Sequence, residues 1–303
     1  MSRPAFASRP GVALFPTAAR FATIDQTIPH IMTDTFLVAA VQTVSGPIVA
    51  ENLAAAGDLI AQSVSAGARL IVLPEYFAIM GMRDTDKVDA AERPGQGPIQ
   101  EFLSAQARDA GAWIVGGTVP LVSPVPGKIY NACLVYSPSG ERVARYDKIH
   151  LFGLELSGES FSEARTITPG DSVVTVPTEW GRIGLSICYD VRFPELYRAM
   201  GAVDLITVPS AFTATTGQAH WETLLRARAI ENQAYVVAPA QGGVHPSGRR
   251  THGHSMIVDP WGTVLACRET GPGVVVAPVK LSEVARVRTA LPALSHRRLE
   301  GKT

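Results

Sequence analysis

The chain of 303 residues has only three cysteines, no excess of charge of either sign and no apolar run as long as a membrane span. Cys133, Cys188 and Cys267 are odd in number and widely spaced, with no CxxC and no Cys/His cluster. This excludes a disulfide framework and a structural zinc site, and it fits a reducing compartment, here the cytoplasm. Lysine plus arginine equals aspartate plus glutamate at 27 each, so no broad basic field is available for nucleic acid or an anionic membrane. A spanning helix needs roughly 20 apolar residues, and no segment approaches that. P-loop and GxGxxG fingerprints are also missing.

What remains is a chain that is 46% apolar and 18% charged, enough to bury a sizeable core. Residues 1–31 stand apart, with Arg3, Arg9, Arg20, several prolines and neither a clear period nor a hydrophobic signal core. They read as a leader outside the core. Residues 32–303 read as a single domain, in which Met32 opens a run that leads directly into a strand at Phe36 to Val41.

From there strands and helices alternate. Asn52 to Ala68 reads as a helix, Arg69 to Glu75 as a short buried strand, Ile99 to Ala110 as a helix after the Gly95–Gln96–Gly97–Pro98 breaker, and Trp113 to Val119 as a strand. A hairpin follows, Asn131 to Tyr136 with Arg142 to Tyr146. Lys148 to Pro169 is polar and too long for a tidy connection, so it is expected to be a functional loop. Strands at Ser172 to Val176, Arg182 to Tyr189 and Val203 to Pro209 enclose a helix at Phe193 to Met200. A longer helix is expected at Gln218 to Gln233, then further strands and a terminal helix from about Leu281. The short runs ending Leu73–Pro74 and Val208–Pro209 hint at two related sheets.

One segment carries a candidate nucleophile. In Gly181 to Glu195, Ile183, Leu185 and Ile187 alternate with Gly184, Ser186 and Cys188, which places the thiol on the less crowded face at a strand end. Pro194 and Glu195 suit the first turn of a helix, whose positive end favours a thiolate. Taken alone, the thiol also suits a small core position. Glu75 lies just beyond a buried strand, where open α/β sheets present ligand-facing residues. Lys148 begins the long polar loop, and Glu163 lies within it.

The segments Leu73–Pro74–Glu75–Tyr76–Phe77, Tyr146–Asp147–Lys148–Ile149–His150 and Ser186–Ile187–Cys188–Tyr189–Asp190 occur in the chain order Glu, Lys, Cys. Together with Gly253 to Gly262 they resemble the nitrilase superfamily of carbon–nitrogen hydrolases, and the likeness runs from about Leu37 to Arg298. The resemblance implies a four-layer α/β/β/α sandwich, a homodimer and a thiol amidohydrolase. It assigns Glu75 as general base and acid, Lys148 as oxyanion stabiliser, Cys188 as nucleophile and Glu163 as accessory glutamate, with Glu159 as the alternative for the last role. A backbone amide near Tyr189 would share the oxyanion. Neither metal nor cofactor is expected, because lysine and amides supply the electrophilic stabilisation.

Within the superfamily, Pro209 to Thr213, Ala219 to Glu222, Arg226 to Glu231, Ala240 to His245 and Leu291 to Arg298 resemble the small amidases acting on deaminated glutathione. An omega-amidase is the competing enzyme, and a noncatalytic scaffold the competing class. A small anionic amide calls for cationic contacts. Arg192 is the leading candidate, with Arg249 and Arg250 at the rim and Phe212 and Trp221 as lining.

Overall fold

The computed structural model describes residues 34–156 and 159–299. The expected leader, residues 1–31, and Met32 lie outside the described residues. The elements in chain order are β1 (Thr35–Gln42), α1 (Val49–Ser65), β2 (Ala68–Val72), α2 (Asp86–Asp89), α3 (Pro98–Ala110), β3 (Trp113–Val115) and β4 (Val119–Val122). Next come β5 (Ile129–Tyr136), β6 (Arg142–Asp147), β7 (Gly153–Leu156), β8 (Glu159–Ser162), β9 (Thr175–Thr178), β10 (Gly181–Leu185) and α4 (Pro194–Ala199). β11 (Leu205–Thr207), α5 (Ala214–Asn232), β12 (Tyr235–Ala238), β13 (Ser255–Val258), β14 (Val264–Arg268), β15 (Gly273–Lys280) and α6 (Leu281–Ala290) complete the order.

Two sheets form the centre. In the first, the order is β15-β1-β2-β3-β5-β4 with β6 beside β5; in the second it is β14-β13-β12-β11-β10-β9. Each has a parallel core, β1-β2-β3 in one and β10-β11-β12 in the other, flanked by antiparallel strands. The repeated strand signals around the two prolines thus correspond to two sheets of like plan.

Period-2 alternation explains the layering. On β1, Val38 and Ala40 enter the core shared with Ile183, Leu185 and Val236 of the second sheet. Ala39 and Val41 face the other way, against Leu53, Ile60, Ile99 and Leu103 of α1 and α3. β2 repeats the pattern, with Leu70 and Val72 towards the second sheet and Ile71 towards the helices. Strands buried on both faces read as continuous apolar runs, as these do. Trp221, Leu225 and Ala229 of α5 close the opposite side, so the order of layers is helix, sheet, sheet, helix. This is the α/β/β/α sandwich.

Three local expectations need correction. The stretch Lys148 to Pro169 is not one irregular loop, because Gly153–Leu156 pairs antiparallel with Glu159–Ser162 and a 3-10 turn follows at Glu163–Arg165. Its polar alternation suits an exposed ribbon that periodicity of apolar residues does not reveal. α5 begins at Ala214 instead of Gln218, because the Thr213 side chain accepts the Thr216 N–H as an N-cap. The face of β10 bearing Gly184 is crowded, since a Cβ at Gly184 would lie 2.6 Å from the Met200 sulfur.

Gly117 follows β3 with φ +53°, and a Cβ there would come within 2.1 Å of the Pro74 carbonyl oxygen. Backbone cannot yield as a flexible side chain does. Gly117→Ala is therefore expected to lower stability by about 1–3 kcal/mol, read as an earlier midpoint in urea unfolding. An unchanged midpoint contradicts this account of the Pro74 turn.

Candidate active site

The parallel strands of both sheets deliver their C-terminal ends to one place, the location at which open α/β sheets bind ligands. Glu75 follows β2, Cys188 follows β10 and Ala211 follows β11. Lys148 directly follows β6, and Glu163 follows β8. The structure brings Glu75, Lys148, Glu163 and Cys188 together.

Lys148 is wholly buried, and Glu75 is 1% exposed. The Lys148 ammonium donates to Glu75 Oε1 at 2.8 Å, to Glu163 Oε1 at 2.9 Å and to Glu163 Oε2 at 2.8 Å. Glu75 Oε1 also accepts from Asn131 Nδ2 at 2.9 Å, while Oε2 accepts the Ala211 N–H at 3.0 Å. Glu163 accepts from the Tyr76 hydroxyl at 2.8 Å and from the Phe152 N–H at 2.7 Å. Charges this far from water persist only when so thoroughly paired. Of the loop glutamates, Glu155 is exposed and bonded by Ser160, whereas the Glu159 side chain lies outside the described residues.

The surroundings push the two carboxyl groups apart. Burial raises Glu75 above the ordinary carboxylate range, with Lys148 opposing and Glu163 reinforcing. Burial also acts against ionisation of Glu163, but the Lys148 charge and the bonds from Lys148, Phe152 and Tyr76 outweigh it and hold that group below its usual value. For Lys148, burial is outweighed by Glu163 and Glu75, so its proton is held more tightly than usual. One carboxyl is thus suited to carrying protons and the other to remaining an anion.

Cys188 opens a 3-10 turn, Cys188–Arg192, instead of ending a continuous strand. Its φ is +47°, a left-handed conformation that is uncommon for a residue with a side chain. The turn is fastened by Asp190, which is fully buried and accepts from the Tyr146 hydroxyl at 2.7 Å, the Ile187 N–H at 2.8 Å and the His150 N–H at 3.1 Å. The Cys188 N–H bonds the Pro209 carbonyl at 2.9 Å and the Asp190 N–H bonds Ile187 at 3.0 Å. That leaves the intervening Tyr189 N–H without an acceptor among the described residues. Thiolate formation is not favoured in this setting, contrary to the expectation from the following helix. Burial raises the thiol well above its ordinary range and the Glu75 charge raises it further, outweighing Lys148.

Cys188, Glu75 and Glu163 line a narrow slot together with Arg192, Phe212 and Arg249. The Arg192 guanidinium lies 5.3 Å from the Phe212 ring and donates to His220 Nδ1 at 3.2 Å. Arg250 lines the neighbouring outer cavity instead. Trp221 does not line the slot; it is buried behind Phe212, with ring centroids 4.7 Å apart, and donates its indole N–H to the His254 carbonyl at 2.9 Å. Its large apolar area is better covered inside than at a pocket wall. Sequence reasoning did not find Asn131, Tyr76, Phe152 or Ala211. Only Asn131 left a signal, as a polar residue in an otherwise apolar strand. Among the described residues no His, Cys, Asp or Glu group is arranged to hold a metal ion.

A thiol beside a proton-carrying carboxyl and a fixed ammonium is equipped for covalent attack on a carbonyl carbon. The sequence matches the carbon-nitrogen hydrolase family over residues 37–289, and the chain belongs to that family, a class of hydrolases acting on amides. It is 43% identical over 268 residues to the deaminated glutathione amidase of Synechocystis, covering 86% of this chain and 98% of that one. It is 36% identical over 270 residues to the mouse omega-amidase NIT2, covering 88% and 96%. Among solved structures, the C. elegans NitFhit protein superposes with a TM-score of 0.81 at 39% identity, over 87% of this chain and 65% of that longer one.

The raised thiol gives a direct check. The ultraviolet thiolate absorbance of the wild type, less that of Cys188→Ala, should show no titration of this residue across the range, centred at about pH 8.5, in which an ordinary cysteine ionises. A thiolate forming near neutrality contradicts the electrostatics described.

Proposed function

We propose that this chain is an amidase that cleaves the amide bond of deaminated glutathione, α-ketoglutaryl-cysteinylglycine, giving 2-oxoglutarate and cysteinylglycine. The observation that carries the reading is the Glu75–Lys148–Glu163 cluster, buried at Glu75 and Lys148, beside the Cys188 thiol. The relatives supply the substrate class, the first being a deaminated glutathione amidase that matches along nearly its whole length.

The chemistry follows from the protonation preferences. Cys188 arrives as a thiol, and Glu75 takes its proton as Sγ bonds to the amide carbon. Glu75 is then neutral, so its hold on Lys148 weakens, and that ammonium can turn an N–H towards the developing oxyanion beside the Tyr189 amide. Glu163 stays ionised and keeps Lys148 protonated. Glu75 next gives its proton to the leaving nitrogen, the carbon–nitrogen bond breaks and a thioester remains. Water enters, Glu75 accepts one of its protons, hydroxide adds to the thioester carbon, and the thiol leaves with the proton that Glu75 returns.

Arg192, whose side-chain hydrogen bond among the described residues goes to His220 and not to an acid, offers a cation to the α-keto carboxylate of the acyl half. Two further parts of the reading rest on surface and composition. Exposed Trp261 and Ile230 are apolar area that a second copy in a homodimer would cover, and three free cysteines suit the cytoplasm. The omega-amidase reading, hydrolysis of α-ketoglutaramate, is favoured by the similarity to the mouse enzyme. It uses the same four residues.

Steady-state hydrolysis of the two substrates separates these readings. A higher kcat/KM for α-ketoglutaryl-cysteinylglycine than for α-ketoglutaramate is expected, and the reverse order favours the omega-amidase. Cys188→Ala should retain the folded circular dichroism spectrum and lose at least about 1,000-fold in kcat, since the covalent route disappears. Near-normal turnover in that variant rules out the nucleophile assignment.

A further inference from the structure

Room around the reacting centre is unevenly divided. The slot that exposes Cys188 has about 10 Å³ of free space, whereas the cavity outside it has about 720 Å³. Arg249 lines both, so the two adjoin at its side chain. With the scissile carbon at Cys188, the room for the larger part of an amide, its amine half included, lies in the adjoining outer cavity. A dipeptide leaving group reaches about 7 Å from its nitrogen, well within such a volume.

The outer cavity is also cationic. Its wall carries Arg83, Lys87, Arg249 and Arg250 against Asp84 alone. Arg83 is engaged by Asp86 at 2.9 Å, but Lys87 and Arg249 are not matched in that way. Lys87 has an 11% exposed side chain, and its nearest acid is Asp84 at 3.5 Å, whose own side chain is 65% exposed. The ammonium lies 5.9 Å from the Tyr76 ring centroid. Arg249 lies 5.2 Å from the Phe161 ring, and its side-chain bonds among the described residues go to the Ala211 carbonyl at 3.1 Å and the Met80 sulfur at 3.9 Å, not to an acid. Its Nε is buried without a partner.

Two cations on one cavity wall that share no ion-pair partner among the described residues repel one another, and the guanidinium of Arg249 is left short of a hydrogen-bond partner. Burial holds Lys87 below its ordinary range against the opposing charges of Asp84 and Glu163, and the Arg249 charge adds to the lowering. An anion lying between them relieves both deficits. We propose that Lys87 and Arg249 form a subsite for a carboxylate on the leaving amine, so that the outer cavity selects amides whose amine half is a short peptide-like acid. This rests on the amidase reading above and adds the amine-side specificity that small ω-amides cannot use.

The test compares kcat/KM for α-ketoglutaryl-cysteinylglycine and for its C-terminal carboxamide, in the wild type, Lys87→Met and Lys87→Arg. The wild type should favour the acid by about 10-fold or more, the scale of one charge-assisted hydrogen bond. Lys87→Met should fall most of the way to parity, and Lys87→Arg should keep the preference. Equal kcat/KM for acid and carboxamide in the wild type, or an undiminished preference in Lys87→Met, overturns the subsite while leaving the amidase reading standing. A wild type that cleaves neither compound overturns both. The wild-type comparison decides even where Lys87→Met fails to fold.

Discussion

A lysine with no solvent exposure, held between the buried Glu75 and the partly buried Glu163, is the constraint on which the rest of this structure depends. Each buried ion costs several kcal/mol in lost hydration, so the arrangement stands only if every charged atom finds partners. Those partners come from distant parts of the chain. Asn131 reaches from β5, Tyr76 from the turn after β2, Phe152 from the segment before β7, and the Ala211 amide from the second sheet. The two sheets must therefore stack in one register. Gln241 reinforces it by donating to the Glu75 carbonyl at 3.0 Å and to Ser45 at 2.9 Å across the same seam.

The same cluster divides labour between chemically identical groups. Glu163 receives four hydrogen bonds from Lys148, Tyr76 and Phe152, while Glu75 faces the thiol and carries a raised affinity for protons. Cys188 is likewise kept neutral by burial, so in the proposed mechanism charge separation is deferred to the moment of attack. The positive φ at Tyr76 and Cys188 lies next to the groups proposed to react, consistent with backbone strain being concentrated where orientation matters. Asp190 holds the turn that sustains it.

Much of this was legible in the sequence, for reasons that differ between residues. Glu75, Lys148 and Cys188 stand at the ends of short apolar runs, and their chain order carries the family likeness. β1, β5, α3 and α6 followed from period and breakers. Other features were not legible because they are made by the fold. No local pattern announces that the Ala211 amide reaches Glu75, nor that Trp221 lies behind Phe212 instead of lining the slot. The β7–β8 ribbon has too little apolar alternation to register, and Gly184 looked like open space because its neighbours Met200 and Val203 come from later in the chain. The thiol's resistance to ionisation was hidden for the same reason, since the helix end was visible in sequence and the buried carboxylate beside it was not.

The central claim is that Cys188 carries the acyl group while Glu75 moves the protons. Rapid-quench mass spectrometry of the enzyme turning over α-ketoglutaryl-cysteinylglycine addresses it most directly. The account predicts a transient α-ketoglutaryl adduct on the peptide containing Cys188, absent from Cys188→Ala. Product formation in a burst-free course by an enzyme that never acquires the adduct, together with turnover by Cys188→Ala, would contradict it.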